Sequence, residues 1–217
     1  MFKRNNTSAV ITASENTSPI VFTGLDHAVH SATKMAYRIY DAAVPTIQIQ
    51  GLGGKLWKRN VAKGARIGPW LQADYRILDE RRWKERRPCL YILAASDGVI
   101  RYVGISRNRM ADRWRESPAF DAETMVPLPR RQLFHSQCWA RIQEEVAAAP
   151  GKTYEVRCID GATLSKTLSK IGPPLSAFCA LGQDEEGIVA SVERWICNNS
   201  HLYLACWNKA MTAQRYS

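Results

Sequence analysis

The chain lacks a long hydrophobic run and lacks any cysteine pair with metal-binding spacing. No apolar stretch approaches the roughly 18 residues that cross a bilayer, and the first nineteen residues contain no apolar signal-peptide core. The six cysteines include no Cys-x-x-Cys pair, and the four histidines complete no zinc-finger pattern. These absences predict a cytoplasmic protein with no membrane partner and no structural zinc.

The chain has fewer acidic than basic residues. The 217 residues carry 30 Lys and Arg against 20 Asp and Glu, a formal net charge of +10. A hydrophobic content of 46% is enough for a packed core, so the chain is not disordered as a whole. A basic folded chain without a membrane segment favours nucleic acid as its partner.

Much of this positive charge lies between Gly51 and Arg87, where eleven Lys and Arg face only four acids. Three tryptophans, Trp57, Trp70 and Trp83, are interleaved with them. Such a segment could follow a phosphate backbone, or it could be a solvated face with structural tryptophans. It lacks the GxxxxGK[ST] pattern of a phosphate-binding loop, which argues against nucleotide binding. The candidate DNA contacts in it are Lys55, Lys58, Arg59, Lys63 and Arg66.

The pattern of elements predicts a tail, a basic region and a compact domain. Residues 1–17 are rich in Ser, Thr and Asn and indicate a flexible tail. Residues 18–87 form a basic N-terminal region with a helix near 29–40 and a strand at PTIQIQG, and we assign DNA recognition to this region. Residues 88–217 contain a hairpin, two helices, a third strand and a last helix. We expect an α+β fold in which a three-stranded antiparallel sheet is flanked by helices, with the basic region as an extension.

The hairpin follows from YILAASDGVIRYVG, residues 91–104. If Asp97-Gly98 forms a two-residue type I′ turn, Leu93 lies opposite Tyr102 and Tyr91 lies opposite Gly104. Side chains alternate along strands, so Tyr91 and Tyr102 are diagonal neighbours on one face. Tyrosine is a common strand residue, and the two could also be ordinary half-buried positions.

A short helix rich in arginine follows the hairpin. Asn108 is a suitable N-cap, and Met110 and Trp114, four residues apart, form its apolar stripe. Arg109 and Arg113 share an adjacent stripe, from which a guanidinium can contact a phosphate through two hydrogen bonds. Two phenols and an arginine form a surface suited to a phosphodiester.

These residues resemble the GIY-YIG nucleases. The resemblance consists of Leu90-Tyr91-Ile92, an interval of eleven residues to Tyr102-Val103-Gly104, and Arg113 in the following helix. It covers about residues 88–208, with Cys-Leu in place of the leading Gly-Ile. It implies that Tyr91 orients or deprotonates the attacking water, that Tyr102 holds the phosphate or its water, and that Arg113 balances the charge of the transition state.

The resemblance also implies a metal-binding glutamate on a late helix. In IVASVERWICN, Ile188, Val192 and Ile196 lie on the apolar face and Glu193 lies on its rim. The residues alone leave Glu193 open between a metal ligand and a surface glutamate; the resemblance favours a ligand for Mg²⁺ or Mn²⁺. Asn208, fifteen residues further on, matches the family asparagine and is a candidate DNA contact.

One family position departs from the pattern. Relatives often have a histidine four residues after the helix arginine, where this chain has Ser117. His135 resembles a second family histidine, and we favour Arg113 with His135 as the catalytic pair. The alternative uses Arg131, four residues before His135, as the catalytic arginine; Arg131 is otherwise a candidate DNA contact.

The function predicted from the sequence is a magnesium-dependent DNA endonuclease that hydrolyses phosphodiester bonds, in a restriction, homing, phage or repair setting. One active site cuts one strand, so a double-strand break would need a homodimer on DNA or two nicks. Two alternatives stay open. One is a DNA-binding protein of the same fold that does not cut, and the other is an RNA-binding or RNA-processing protein.

Overall fold

The computed structural model describes residues 24–62, 64–116, 120–126, 138–180, 183–200 and 207–208. Five strands and seven helices occur in these ranges. In chain order they are α1 (Gly24–Ala42), β1 (Val44–Asn60), β2 (Ala65–Ile77), α2 (Glu80–Lys84), β3 (Cys89–Ala95), β4 (Ile100–Ser106), α3 (Met110–Arg113), α4 (Cys138–Ala148), β5 (Tyr154–Asp160), α5 (Gly161–Ile171), α6 (Ala177–Ala180) and α7 (Glu185–Ser200).

The strands form one antiparallel sheet in the order β2-β1-β5-β3-β4. The expected α+β class is found, but the expected three-stranded sheet is wrong because β1 and β2 belong to the same sheet. Val44 to Ile49 of β1 pair with β5, which itself pairs with β3 along its length. The basic region thus supplies two strands to the sheet that carries the tyrosine hairpin.

Each face of the sheet covers its own hydrophobic cluster, because side chains alternate along the strands. The front face, which contains Tyr91 and Tyr102, packs on Trp114 and Trp139. The back face presents the intervening residues, among them Leu90 and Ile92, to α1, α5 and α7. The hairpin tyrosines and α7 therefore lie on opposite faces of the sheet.

Helix α7 packs as its sequence pattern predicts: Ile188, Val192 and Ile196, spaced by four residues, are buried on the back face. Helix α5 was not predicted, although its signals are present. The Asp160 side chain accepts a hydrogen bond from the backbone N–H of Thr163 at 2.9 Å, and Gly172 follows the last turn with φ 88°.

Two backbone hydrogen bonds cover the β2 edge of the sheet. Along β2, the backbone N–H of Ala73 donates to Glu116 O at 2.7 Å, and that of Leu71 donates to Phe120 O at 3.2 Å.

Beyond Ile49, β1 pairs only with β2 among the residues that the structure describes. We call this two-stranded part, residues 51–62 and 64–73, the arm. No described helix combines the length and the apolar character needed to span a membrane.

Candidate nuclease site

The hairpin has the predicted register with a different turn. Leu93 lies opposite Tyr102, and Tyr91 opposite Gly104. The expected two-residue type I′ turn is wrong: the Ala95 N–H donates to Val99 O at 3.0 Å, which closes a three-residue loop with Gly98 at φ 79°. A register shift between Leu93 and Ala94 absorbs the additional residue, so both tyrosines keep the same face.

Tyr91 and Tyr102 stack on each other with ring centroids 5.9 Å apart and planes inclined by 25°. The stack lies directly over Gly104. A Cβ at that position would be 2.6 Å from both Tyr91 Cζ and Tyr102 Cε1, closer than real contacts allow. Glycine is required at position 104 because the two rings occupy the space that a side chain would need.

The buried phenols form a hydrogen-bonded chain with Arg113. Arg113 Nε donates to the Tyr91 hydroxyl oxygen at 2.9 Å, and the Tyr102 hydroxyl donates to the same oxygen. Trp114 packs edge-on against the Tyr91 ring at 5.7 Å and is fully buried. The Tyr91 oxygen thus fixes the orientation of a guanidinium that burial alone would disfavour.

Burial controls the ionisation of both phenols. Tyr91 is 0% exposed, and burial raises its pKa to about 12 although the nearby Arg113 charge lowers it. Burial also raises the pKa of Tyr102, which is 8% exposed. At pH 7 about one Tyr91 in 10⁵ would be ionised, which makes this phenol a poor general base.

Arg113 also lines an open cleft of about 610 Å³ formed by the end of β4, the following loop and α3. Four of its lining residues are arginines: Arg107, Arg109, Arg113 and Arg115. The buried Ser106 hydroxyl shapes this loop by donating to Asn108 O at 2.9 Å. The arginines therefore give the cleft positive charge that would attract a phosphate chain.

The cleft arginines differ in their partners. Arg109 makes two hydrogen bonds to Asp112, at 3.0 and 2.9 Å, and Arg107 contacts Glu186 at 2.6 Å. Arg113 instead donates to a neutral phenol, and no acid in the ranges that the structure describes forms an ion pair with it. The predicted N-cap Asn108 is wrong: α3 begins one residue later, with Arg109 at its N-cap.

Glu193 approaches this site from the back face of the sheet. It is half-buried on α7, and burial raises its pKa although the charges of Arg194 and Arg113 lower it. The two charges are therefore within electrostatic range of each other, and α7 packs against β4, the strand that precedes α3. The Cys197 thiol lies 4.0 Å from Glu193 Oε1.

A single carboxylate of this kind fits a hydrated divalent cation. A half-buried carboxylate with a raised pKa would gain from a nearby positive charge. Magnesium commonly keeps several waters and binds through one or two carboxylates. No cluster of three or more His, Cys, Asp or Glu that could hold a metal occurs within the described ranges.

Asn208 contacts the backbone of the edge strand β4. Its Oδ1 accepts from the Val103 N–H at 3.0 Å, and its Nδ2 donates to Val103 O at 2.6 Å. The side chain thus pairs with β4 as a neighbouring strand would. This pairing gives Asn208 a structural task, and its contact with DNA stays a prediction.

The predicted DNA contacts of the arm fall into two groups. Lys55 lies 3.8 Å from Glu123, and Lys58 lies 3.0 Å from Glu116. Arg59 and Arg66 face each other across the two strands. Of the three tryptophans, Trp57 is 44% exposed, whereas Trp83 is 7% exposed and packs on Tyr75, as expected of a structural residue.

Several predicted positions lie outside the described residues, namely Lys63, Ser117, Arg131 and His135. The choice between Arg113 and Arg131 as catalytic arginine therefore stays a prediction. Sequence reasoning missed Arg107 and Arg115. The signal was present, since residues 107–115 contain four arginines.

Comparison with protein-family models, curated proteins and solved structures found no match to this chain. The resemblance to GIY-YIG nucleases depends on the hairpin, Arg113 and Glu193. The function is therefore argued from the geometry of these residues.

Proposed function

We propose that the protein is a metal-dependent DNA endonuclease that hydrolyses phosphodiester bonds in the cleft at α3. One observation carries this proposal: Arg113 is held by the Tyr91 hydroxyl within the core and lines the arginine cleft on its other side. A half-buried, oriented guanidinium at the wall of a basic cleft suits a transition state that gains negative charge.

The cleft supports a phosphodiester as the substrate class. Arg113 Nε donates to Tyr91. The terminal Nη groups of Arg113 would therefore donate the hydrogen bonds to a phosphate oxygen. Arg107 and Arg115 add positive charge on the same cleft. We propose that they hold the phosphates beside the one that is cut, while Arg113 stabilises the charge that develops there.

In this proposal the tyrosines act as neutral groups. Tyr91 is fully buried with its pKa raised to about 12, so it acts on the substrate through Arg113 and is a positioning residue. Tyr102 donates a hydrogen bond to the Tyr91 oxygen, and its own side chain is slightly exposed to solvent. A hydrogen-bonded pair of neutral phenols holds Arg113 and leaves its positive charge in place. A carboxylate partner would neutralise that charge.

We propose Glu193 as the ligand of a Mg²⁺ or Mn²⁺ ion. When bound, the ion would act as a Lewis acid on a phosphate oxygen. The carboxylate contributes its charge from α7, which packs against β4, and it lies within electrostatic range of Arg113. Because a single site cuts one strand, cleavage of both strands would require two copies of the chain on DNA or two successive nicks.

Plasmid nicking tests this proposal. The purified protein should convert supercoiled DNA to the nicked or linear form with Mg²⁺ or Mn²⁺, and should be inactive in EDTA. Glu193→Gln should abolish cutting at saturating protein while duplex binding in EDTA persists. The matched control is Glu144→Gln, the same change at an exposed glutamate of α4.

The outcomes separate the candidate functions. Duplex binding without cleavage in either metal would favour the non-cutting DNA-binding protein. Cleavage of RNA in preference to DNA would favour the RNA-processing alternative. Equal activity of Glu193→Gln and wild type would remove Glu193 from the site.

A further inference from the structure

The tip of the arm carries an exposed basic and aromatic face. Residues 51–73 contain five Lys and Arg and no acid. Trp57 and Arg59 lie on the same side of β1, and Arg66 of β2 lies directly opposite Arg59. The Arg66 guanidinium carbon lies 5.5 Å from the centre of the Trp57 ring. Trp57, Arg59 and Arg66 form what we call the tip face.

The two arginines of the tip face repel each other in the isolated protein. Like charges directly opposite each other on neighbouring strands destabilise the pair. No acid in the described part of the chain forms an ion pair with Arg59 or Arg66, whereas Lys55 and Lys58 nearby do have acidic partners. A tryptophan that is 44% exposed adds apolar surface in water. A polyanion with flat apolar groups would relieve both costs.

The arm is joined to the arginine cleft through one short segment. Arg115 lines the cleft, and the next residue, Glu116, contacts the arm in two ways. Its backbone oxygen accepts from the Ala73 N–H at 2.7 Å, and its side chain lies 3.0 Å from Lys58. A polymer held in the cleft is therefore next to the base of the arm.

We propose that the arm is a duplex-binding β-ribbon that enters the major groove of DNA with its tip face. This inference rests on the proposed function, because it takes the DNA in the cleft as its partner. The major groove of B-DNA is wide enough for a two-stranded ribbon. Arg59 and Arg66 contact phosphates or base edges, and Trp57 packs its exposed ring edge against the groove.

Binding of the full chain to a labelled 30-base-pair duplex tests this inference. Fluorescence anisotropy in EDTA, over a series of salt concentrations, separates binding from cutting. Arg59→Ala/Arg66→Ala should weaken binding and flatten the slope of log affinity against log salt by about two units, since each phosphate contact contributes about 0.9. The control Lys166→Ala/Lys170→Ala removes the same charge from exposed positions of α5 and should leave the slope nearly unchanged.

A second variant addresses folding. Arg59→Glu places an acid opposite Arg66, so its melting temperature should equal or exceed that of the wild type while duplex affinity falls. Affinity that falls only together with the melting temperature would overturn the inference. So would salt slopes that are equal for the arm variant and the α5 control, or a wild type that does not bind duplex.

Two further outcomes keep the inference distinct from the nuclease proposal. If arm variants lose affinity for single strands and keep duplex affinity, the commitment to duplex DNA is wrong. If the wild type binds duplex through the arm and never cuts, the arm inference stands and the nuclease proposal fails. Under saturating protein in Mn²⁺, the Lys166→Ala/Lys170→Ala control should cut at the wild-type rate, because Arg113 and Glu193 are unchanged.

Discussion

The cleft at α3 and the arm are both rich in basic residues, but they organise the charge differently. In the cleft, Arg113 is half-buried and its direction is fixed by the hydroxyl of a buried tyrosine. In the arm, Arg59 and Arg66 are exposed and face each other across the ribbon. A guanidinium held in one direction is suited to stabilising charge at one reacting atom. Two exposed arginines that repel each other are suited to binding a polyanion, which supplies negative charge to both.

The difference also shows in the surroundings. Tyr91 is enclosed by Trp114 and Tyr102, so small changes there meet a packed core. The arm has few such contacts, and its tip ends near Val61, which is 87% exposed. We therefore expect variants at the cleft to alter chemistry and stability together, and variants of the tip face to alter binding alone.

The largest expected effect on chemistry is that of Arg113→Ala. Because the guanidinium is the group proposed to balance transition-state charge, single-turnover cutting at saturating protein should fall about 10²-fold or more. Arg113→Lys should rescue little, since one ammonium replaces an oriented planar fork. Arg141→Ala, on α4, is the control and should cut normally. If Arg113→Ala cuts as fast as wild type, Arg131 becomes the catalytic candidate.

Alkaline pH should destabilise the cleft side of the molecule. The pKa of Tyr91 is about 12 in the fold and about 10 in an unfolded chain. Its contribution is therefore complete below pH 10 and is lost as the pH rises towards 12, about 3 kcal/mol in all. Denaturant unfolding monitored between pH 8 and 12 measures this loss.

Tyr91→Phe is the matched variant for this measurement. It keeps the ring and removes the ionisable hydroxyl, so its stability should fall less steeply between pH 10 and 12. At neutral pH it should be less stable than wild type by about 1–2 kcal/mol, because Arg113 loses a buried partner. A cutting rate that rises tenfold per pH unit from 7 to 9 in the wild type, but not in Tyr91→Phe, would contradict the neutral role of Tyr91.

Gly104→Ala should destabilise the fold by about 1–3 kcal/mol through overpacking of the tyrosine stack. The added Cβ would meet Tyr91 and Tyr102 at 2.6 Å. Gly54→Ala in the arm is the control: its Cβ would have one neighbour, Gln72 Oε1, at 3.6 Å. Thermal unfolding of the two variants compares the regions directly, and equal losses would remove the distinction between them.

The hairpin was predictable because its determinants are local. Alternation and the Asp97-Gly98 pair fixed the register that brings Tyr91 and Tyr102 together, even though the turn is one residue longer. Burial of Tyr91 could not be foreseen from that pattern. It depends on Trp114 and Trp139, which cover the front face from other parts of the chain.

The five-stranded sheet was missed for a different reason. Strand β2 contains Gly68-Pro69, and β1 contains three register shifts against it, so neither has the regular alternation of a simple strand. The pairing of β1 with β5 joins residues more than a hundred positions apart, which no local pattern indicates. Helix α5 is different: Asp160, Leu164, Leu168 and Gly172 were sufficient to predict it.

The smallest expected effect is that of Lys58→Ala. This variant tests whether the whole arm or only its tip face contacts the phosphates of DNA. Lys58 lies 3.0 Å from Glu116, and both side chains are largely exposed. Removing it should change stability by less than about 1 kcal/mol, as for most exposed ion pairs. Because Glu116 already offsets its charge, the salt slope of duplex binding should change by less than the roughly 0.9 of one phosphate contact. Arg59→Ala alone, measured beside it, should change the slope by a full contact. A Lys58 effect as large as that of Arg59 would mean that DNA displaces Glu116, and that the whole arm binds phosphates rather than its tip face.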